Sequence, residues 1–183
     1  MPENALPENP VPETVHDLDA LVALARRAAR PVVLIDGGSG AGKTTLGERL
    51  APALDAQLVR LDDIYPGWDG LEAGSAAVHE TVLRDADAGW TGWDWAAGRA
   101  AGWHPVDRDR PIVVEGSGAL SRANRARATL GVWVELDPVE RKRRALARDG
   151  GAYAPYWDRW AAQEEVFRAR EHPERLADVI WPG

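Results

Sequence analysis

The stretch Gly37-Gly38-Ser39-Gly40-Ala41-Gly42-Lys43-Thr44-Thr45 constrains this chain more than any other. It fits the pattern G-x-x-x-x-G-K-[ST]. Before it lies an apolar run, Pro31-Val32-Val33-Leu34-Ile35-Asp36. After it, residues 45–54 carry Leu46, Leu50 and Leu54 on one helical face. A buried strand, a glycine-rich turn and a helix in that order make a phosphate-binding loop. Glycines let the backbone turn tightly and bring its N–H groups onto phosphate oxygens. The helix start adds partial positive charge. Only two lysines occur among the 22 basic residues, so the motif's Lys43 does not reflect abundance. Its ammonium is expected to reach the outer phosphates, and the Thr44 hydroxyl to ligate Mg²⁺. The expected phosphate-contacting set is Gly38, Ser39, Gly40, Ala41, Gly42, Lys43, Thr44 and Thr45.

The remaining sequence alternates strand and helix patterns. Residues 1–13 carry four prolines and three glutamates and read as a loose arm. Thr14-x-x-Asp17 resembles a capping box ahead of Leu18, Leu21, Val22 and Ala25, in a helix expected to stop near Arg30-Pro31. Residues 57–61 read as a second strand and 66–70 as a turn. Ser75 is expected to cap a helix with Val78, Val82 and Leu83, and residues 90–106 to form a hairpin or an irregular excursion. Further strands are expected over 110–116, 130–136 and 178–181. Asp137-Pro138-Val139-Glu140 starts a basic helix that Gly150-Gly151 should end, and another helix should span about 155–170. Together these predict one α/β domain over residues 1–183, a three-layer parallel sheet of about five strands flanked by helices.

Composition narrows the function. The net charge of −7 argues against a dedicated nucleic-acid binder, which needs a basic face. The absence of cysteine excludes disulfides and thiolate metal sites and favours the cytoplasm. Met1-Pro2-Glu3-Asn4 has neither a basic region nor an apolar core, so a signal peptide is not expected. No apolar run approaches the ~20 residues of a membrane span. A homodimer is compatible with the sequence.

A phosphate loop serves kinases, GTPases and larger ATPases alike. A GTPase would carry N-K-x-D, but the second lysine, Lys142, follows Arg141. The large ATPases need more chain than this. A small-molecule kinase fits the length, and over roughly residues 31–150 the chain resembles the uridine kinase-like branch of P-loop kinases, which includes phosphoribulokinase and pantothenate kinase. Asp62-Asp63-Ile64-Tyr65 stands where that branch has Asp-x-Phe-Tyr, with Ile64 departing from the usual Phe. Glu115-Gly116 matches the end of its third strand, and Arg144 to Arg148-Asp149 falls at its lid.

The resemblance implies a P-loop NTPase kinase fold, ATP and Mg²⁺, and transfer of the γ-phosphate to a hydroxyl of a nucleoside-like small molecule. It implies an acceptor insertion over 66–108 and a lid over 138–155. Other acceptors remain open: a nucleoside monophosphate, a vitamin precursor, a sugar or an antibiotic. So does a non-catalytic ATP sensor.

A carboxylate at a strand end beside the loop can take the acceptor's proton; the resemblance implies that Asp62, which aligns with the family's catalytic Asp, is that general base, with Asp63 its rival. Both could instead cap the strand or hold Mg²⁺ through water. Glu115 is expected to hold Mg²⁺ or contact acceptor, or else to be a salt-bridged strand end. Arg144 and Arg148, spaced i, i+4, either lay guanidiniums on the transferring phosphate or pair with Glu140 on a solvated face. Asp36 is expected to hydrogen-bond the loop. Tyr65, Trp68, Trp93 and Asp94 are candidate acceptor residues, indoles by stacking and Asp94 by accepting sugar hydroxyls, with hairpin packing the alternative for the tryptophans.

Overall fold

The computed structural model describes residues 11–183. In chain order the elements are β1 (Glu13–Thr14), α1 (Leu18–Ala25), β2 (Val32–Asp36), α2 (Lys43–Ala53), β3 (Gln57–Arg60), α3 (Leu71–Ala77), β4 (Gly89–Asp94), β5 (Arg99–Pro105), β6 (Ile112–Glu115), α4 (Arg122–Arg125), β7 (Leu130–Glu135), α5 (Pro138–Tyr153), α6 (Trp157–Glu171), α7 (Pro173–Leu176) and β8 (Val179–Pro182). The main sheet runs β1-β8-β7-β2-β6-β3, and every pairing is parallel.

Five-residue β2 is buried along its whole length, as a central strand covered on both faces must be. Its alternation feeds two cores. Val33 and Ile35 join Val113, Val132 and Val134 against Leu21, Leu46 and Leu50 of α1 and α2. Val32 and Leu34 join Ile112, Val114 and Trp133 against Leu71 of α3 and Trp160 and Phe167 of α6. The register sets Ile35 beside Glu115 and Glu115 beside Arg60. The loop after β2 and the acids after β3 and β6 therefore emerge at one sheet edge, where α/β folds bind ligands.

The structure corrects several boundaries. Among the described residues the sheet has six strands, not about five. The additional one ends the proposed arm: Glu13 and Val15 donate backbone bonds to Asp178 and Ile180. Residues 1–10 of that arm lie outside the described residues. Thr14 is in a strand, so no capping box forms; Asp17 caps α1, accepting from the Asp19 N–H at 3.3 Å. Helix α3 starts at Leu71, after Gly70, and Ser75 is buried within it with its carbonyl bound to Asn124 Nδ2 at 3.0 Å. A π-helical turn, Val78–Val82, follows. Helix α5 runs through Gly150-Gly151 to Tyr153. Each glycine costs about 1 kcal/mol there, and burial of Ala145 and Tyr153 offsets that. Of the two forms open to residues 90–106 the hairpin is the one found, β4 antiparallel to β5 with a bulge between Thr91 and Trp93. No described helix is long and apolar enough to cross a membrane.

Candidate active site

The loop leaves β2 at the sheet's centre and lands on α2. Gly40 and Gly42 take φ of 83° and 106°, and a side chain at Gly40 would strike the Arg141 carbonyl of α5. Asp36 anchors the turn as expected. Its carboxylate accepts from Gly37 N at 2.6 Å, Gly118 N at 3.1 Å and Leu120 N at 2.8 Å. Burial pushes its pKa up to about 6 against those bonds and the Lys43 charge. Lys43 is 9% exposed and donates to the Gly38 carbonyl at 3.2 Å and to Ser117 Oγ at 3.3 Å.

Glu115 is 2% exposed at the end of β6 and accepts from the Thr44 hydroxyl at 3.1 Å. Burial raises its pKa to about 6, with Lys43 the leading opposing influence. Asp62 lies in the short 3-10 turn Leu61–Asp63 that continues β3, and it lines a cavity of about 450 Å³. Its carbonyl accepts from Trp95 Nε1 at 2.8 Å. Asp63 is exposed and is not on the cavity wall.

That cavity joins the loop to an aromatic wall. Ser39, Lys43, Thr44, Asp62, Glu115 and Arg148 line one part; Tyr65, Trp68, Trp95, Tyr153 and Trp160 line another. The Tyr65 hydroxyl donates to the Ser117 carbonyl at 2.7 Å, and its ring meets Trp160 edge-on at 4.7 Å. Trp68 stacks on Tyr156 at 4.3 Å and on Tyr153 at 5.5 Å. Gly116 makes this junction close: a Cβ there would sit 2.5 Å from Leu61 Cβ.

Five candidates are not on the cavity wall: Gly38 and the buried Ala41 of the loop, and Trp93, Asp94 and Arg144. Trp93 is half-buried in the hairpin. The Asp94 carboxylate accepts from the N–H groups of Ala96 and Ala97 at 3.0 and 2.9 Å, holding the hairpin turn. Arg144 donates to Glu140 at 2.9 Å on the outer face of α5. Hydrogen bonds first from Arg143 and then from Arg144 hold the Glu140 carboxyl at about 2.

Other residues in the site had no motif to mark them. Arg141, from the same helix, donates to the Ser39 carbonyl at 3.2 Å. Glu164 of α6 accepts from Ser39 N at 2.8 Å, Ser39 Oγ at 2.7 Å, Ser117 Oγ at 2.8 Å and Trp160 Nε1 at 3.1 Å. An acid inside a charged helix reads as solvated, and only the i, i+4 spacing of Trp160 and Glu164 hints otherwise.

Known proteins set this geometry in context. No family model matches the chain. It is 32% identical over 125 residues to a shikimate kinase of Corynebacterium diphtheriae, covering 66% of this chain and 65% of that protein. It is 30% identical over 167 residues to a tRNA dimethylallyltransferase of Rhodospirillum centenum, covering 84% of this chain and 52% of that one. The chain thus spans less than two thirds of the length of either relative. Among solved structures, a candidate fructose transport system kinase from Silicibacter sp. TM1040 superposes with a TM-score of 0.64 at 21% identity, over 92% of this chain and all of that one. A candidate uridine kinase from Bacillus stearothermophilus gives 0.61 at 21%, over 90% and 96%. The chain has the P-loop kinase fold.

Proposed function

We propose that this protein is an ATP-dependent kinase of a small hydroxylated molecule, with an uncharged, ring-bearing, nucleoside-like acceptor. The observation that carries the reading is the single cavity that brings Lys43 and Thr44 of the loop, the Asp62 carboxylate and an aromatic wall together. The triphosphate would lie on the loop with Lys43 at its outer phosphates. The acceptor hydroxyl attacks the γ-phosphorus in line. A new P–O bond forms, the bond to the β-phosphate oxygen breaks, and ADP leaves. Asp62 takes the proton, and Lys43 and Arg148 offset the charge that builds on the phosphoryl oxygens.

The residues present suit Mg²⁺. No cluster of three or more His, Cys, Asp or Glu able to cage a metal occurs among the described residues. Mg²⁺ instead takes one or two protein oxygens and fills its octahedron with waters and phosphates. The Thr44 hydroxyl and Glu115, with Asp62 nearby, would provide such oxygens. Bound there, Mg²⁺ supplies charge neutralisation on the phosphates. Reliance on ATP and the cysteine-free composition fit a cytoplasmic setting.

A second reading, shikimate as acceptor, has the sequence relative in its favour. Shikimate is a carboxylate and needs a cation of its own. Lys43 and Arg148 are the cations of the cavity wall, and phosphate chemistry claims both. The deciding experiment is ADP release with Mg²⁺-ATP across nucleosides, sugars and shikimate. Stimulation by a nucleoside or neutral sugar is the expected outcome. Stimulation by shikimate alone selects the second reading, and no stimulation by any hydroxylated acceptor overturns the kinase assignment.

A further inference from the structure

Helices α5 and α6 hold Ser39 of the phosphate loop by all its polar groups. Its N–H and hydroxyl both donate to Glu164. Its carbonyl accepts from Arg141. The Tyr153 phenol shares a hydrogen bond with its side chain, and burial keeps that phenol above its ordinary range. Glu164 and Arg141 also pair with each other at 3.5 Å, with side chains 13% and 18% exposed. One carboxylate oxygen thus gathers four donors, two of them from the loop that should grip phosphate.

Glu164 reaches the phosphate loop through Ser39 and Ser117. Lys43, which reaches β- and γ-phosphates in such loops, donates to Ser117 Oγ, and Ser117 Oγ donates to Glu164. A γ-phosphate on the loop would call on the Ser39 N–H and on Arg141. Two anions cannot share those donors at low cost, because like charges at contact repel strongly where water is scarce. There is room for the carboxylate to withdraw. Glu164 also lines a second cavity of about 210 Å³, together with Gly38, Ser117 and Arg141.

We propose that Glu164 is a γ-phosphate gate: its carboxylate holds the loop donors that the terminal phosphate requires, and it is exchanged for that phosphate when a nucleoside triphosphate binds. Arg141 then passes from Glu164 to the phosphate. The exchange is transmitted to the acceptor side, because Trp160 lies one helical turn before Glu164, is hydrogen-bonded to it and forms part of the acceptor wall. Glu164 is thus a positioning residue that couples loop occupancy to acceptor-pocket shape.

The inference rests on the kinase reading only in taking a nucleoside triphosphate as ligand. The test is calorimetric titration of a non-hydrolysable ATP analogue and of ADP, each with Mg²⁺, into the full chain and into Glu164→Gln. Relief of the charge competition should tighten triphosphate binding about tenfold and change ADP binding by less than about twofold. Unchanged or weaker triphosphate binding, or an equal gain for both nucleotides, overturns the gate. If Glu164→Gln loses ADP binding, the loop has been disturbed; Glu164→Asp, too short to span the same donors, is then held to the same criterion. Failure of every acceptor in the turnover screen leaves this contrast intact and sinks only the kinase reading. If neither protein binds either nucleotide, both readings fall together.

Discussion

Asp62 and Asp63 are neighbours in sequence and differ in what they face. The 3-10 turn after β3 sets Asp62 on the cavity wall and leaves Asp63 outside it. The Trp95 indole fixes the Asp62 backbone. If Asp62 is the base, Asp62→Asn should cut turnover by about 10³-fold, within the range a positioned base supplies, while Mg²⁺-nucleotide affinity stays near wild type. Asp63→Asn should keep most of the activity. Steady-state ADP release and nucleotide calorimetry on the same preparations check both. Equal losses in the two variants would remove the distinction drawn from the turn. Lys43 and Thr44 were legible in the sequence because motif spacing leaves little freedom for where such side chains go. Asp94 was not: a side chain that can bond its own backbone two residues on often does so, and that competition is invisible in composition. Glu164 was hidden because its loop partner, Ser39, lies 125 residues away.

At the scale of elements, the phase of α5 decides which arginines face the candidate site. Ala145 is 1% exposed and turns one face of the helix inward. Arg141 and Arg148, two turns apart, lie toward the loop and the cavity, whereas Arg144 turns to Glu140. The i, i+4 spacing of Arg144 and Arg148 pointed to a shared face, but a pairing acid at Glu140 drew one of them away. Arg148→Ala should therefore lower kcat about a hundredfold, a conservative figure for a charge placed on a transferring phosphoryl group. Arg144→Ala should cost less. Comparing kcat with the nucleotide KM separates lost transition-state contact from weakened binding. The strands were legible because a buried parallel sheet demands near-continuous apolar runs. Two-residue β1 carries no such signal. The start of α3 was displaced because Gly70 and buried Leu71 set it before Ser75. Helix α6 was expected from its pattern, but its attachment was not. Arg159 pairs with Asp69, and Gln163 donates to the Trp68 carbonyl at 2.7 Å, tying the helix to the turn that carries Trp68.

At the scale of the whole molecule, two buried carboxyls tie stability to pH in an unusual direction. Asp36 and Glu115 have pKa values raised from 3.8 and 4.5 to about 6, in both cases mainly by burial. Between about pH 4 and 6 the folded state keeps protons that the unfolded chain has released, so stability falls as pH rises through that window. A tenfold difference in proton affinity between the folded and unfolded chain is worth about 1.4 kcal/mol, so the two groups together move stability by a few kcal/mol at most. The net charge of −7 acts in the same direction, since self-repulsion eases as carboxylates protonate. Carboxyls held low by arginines act elsewhere: Glu140, at about 2, loses its contribution only below the ordinary glutamate range. Denaturant unfolding should therefore give a higher midpoint at pH 5 than at pH 7, and Glu115→Gln should flatten the slope. Mg²⁺-nucleotide should reverse the trend, because a Glu115 that helps hold Mg²⁺ must be ionised. Stabilisation by the ligand should then grow from pH 5 to pH 7.5, with half of the gain near pH 6. If the ligand-free chain instead becomes steadily more stable up to pH 7, Asp36 and Glu115 are ionised at little cost. The loop would then stand on charge already balanced by Lys43 rather than on carboxylates that gain from their protons.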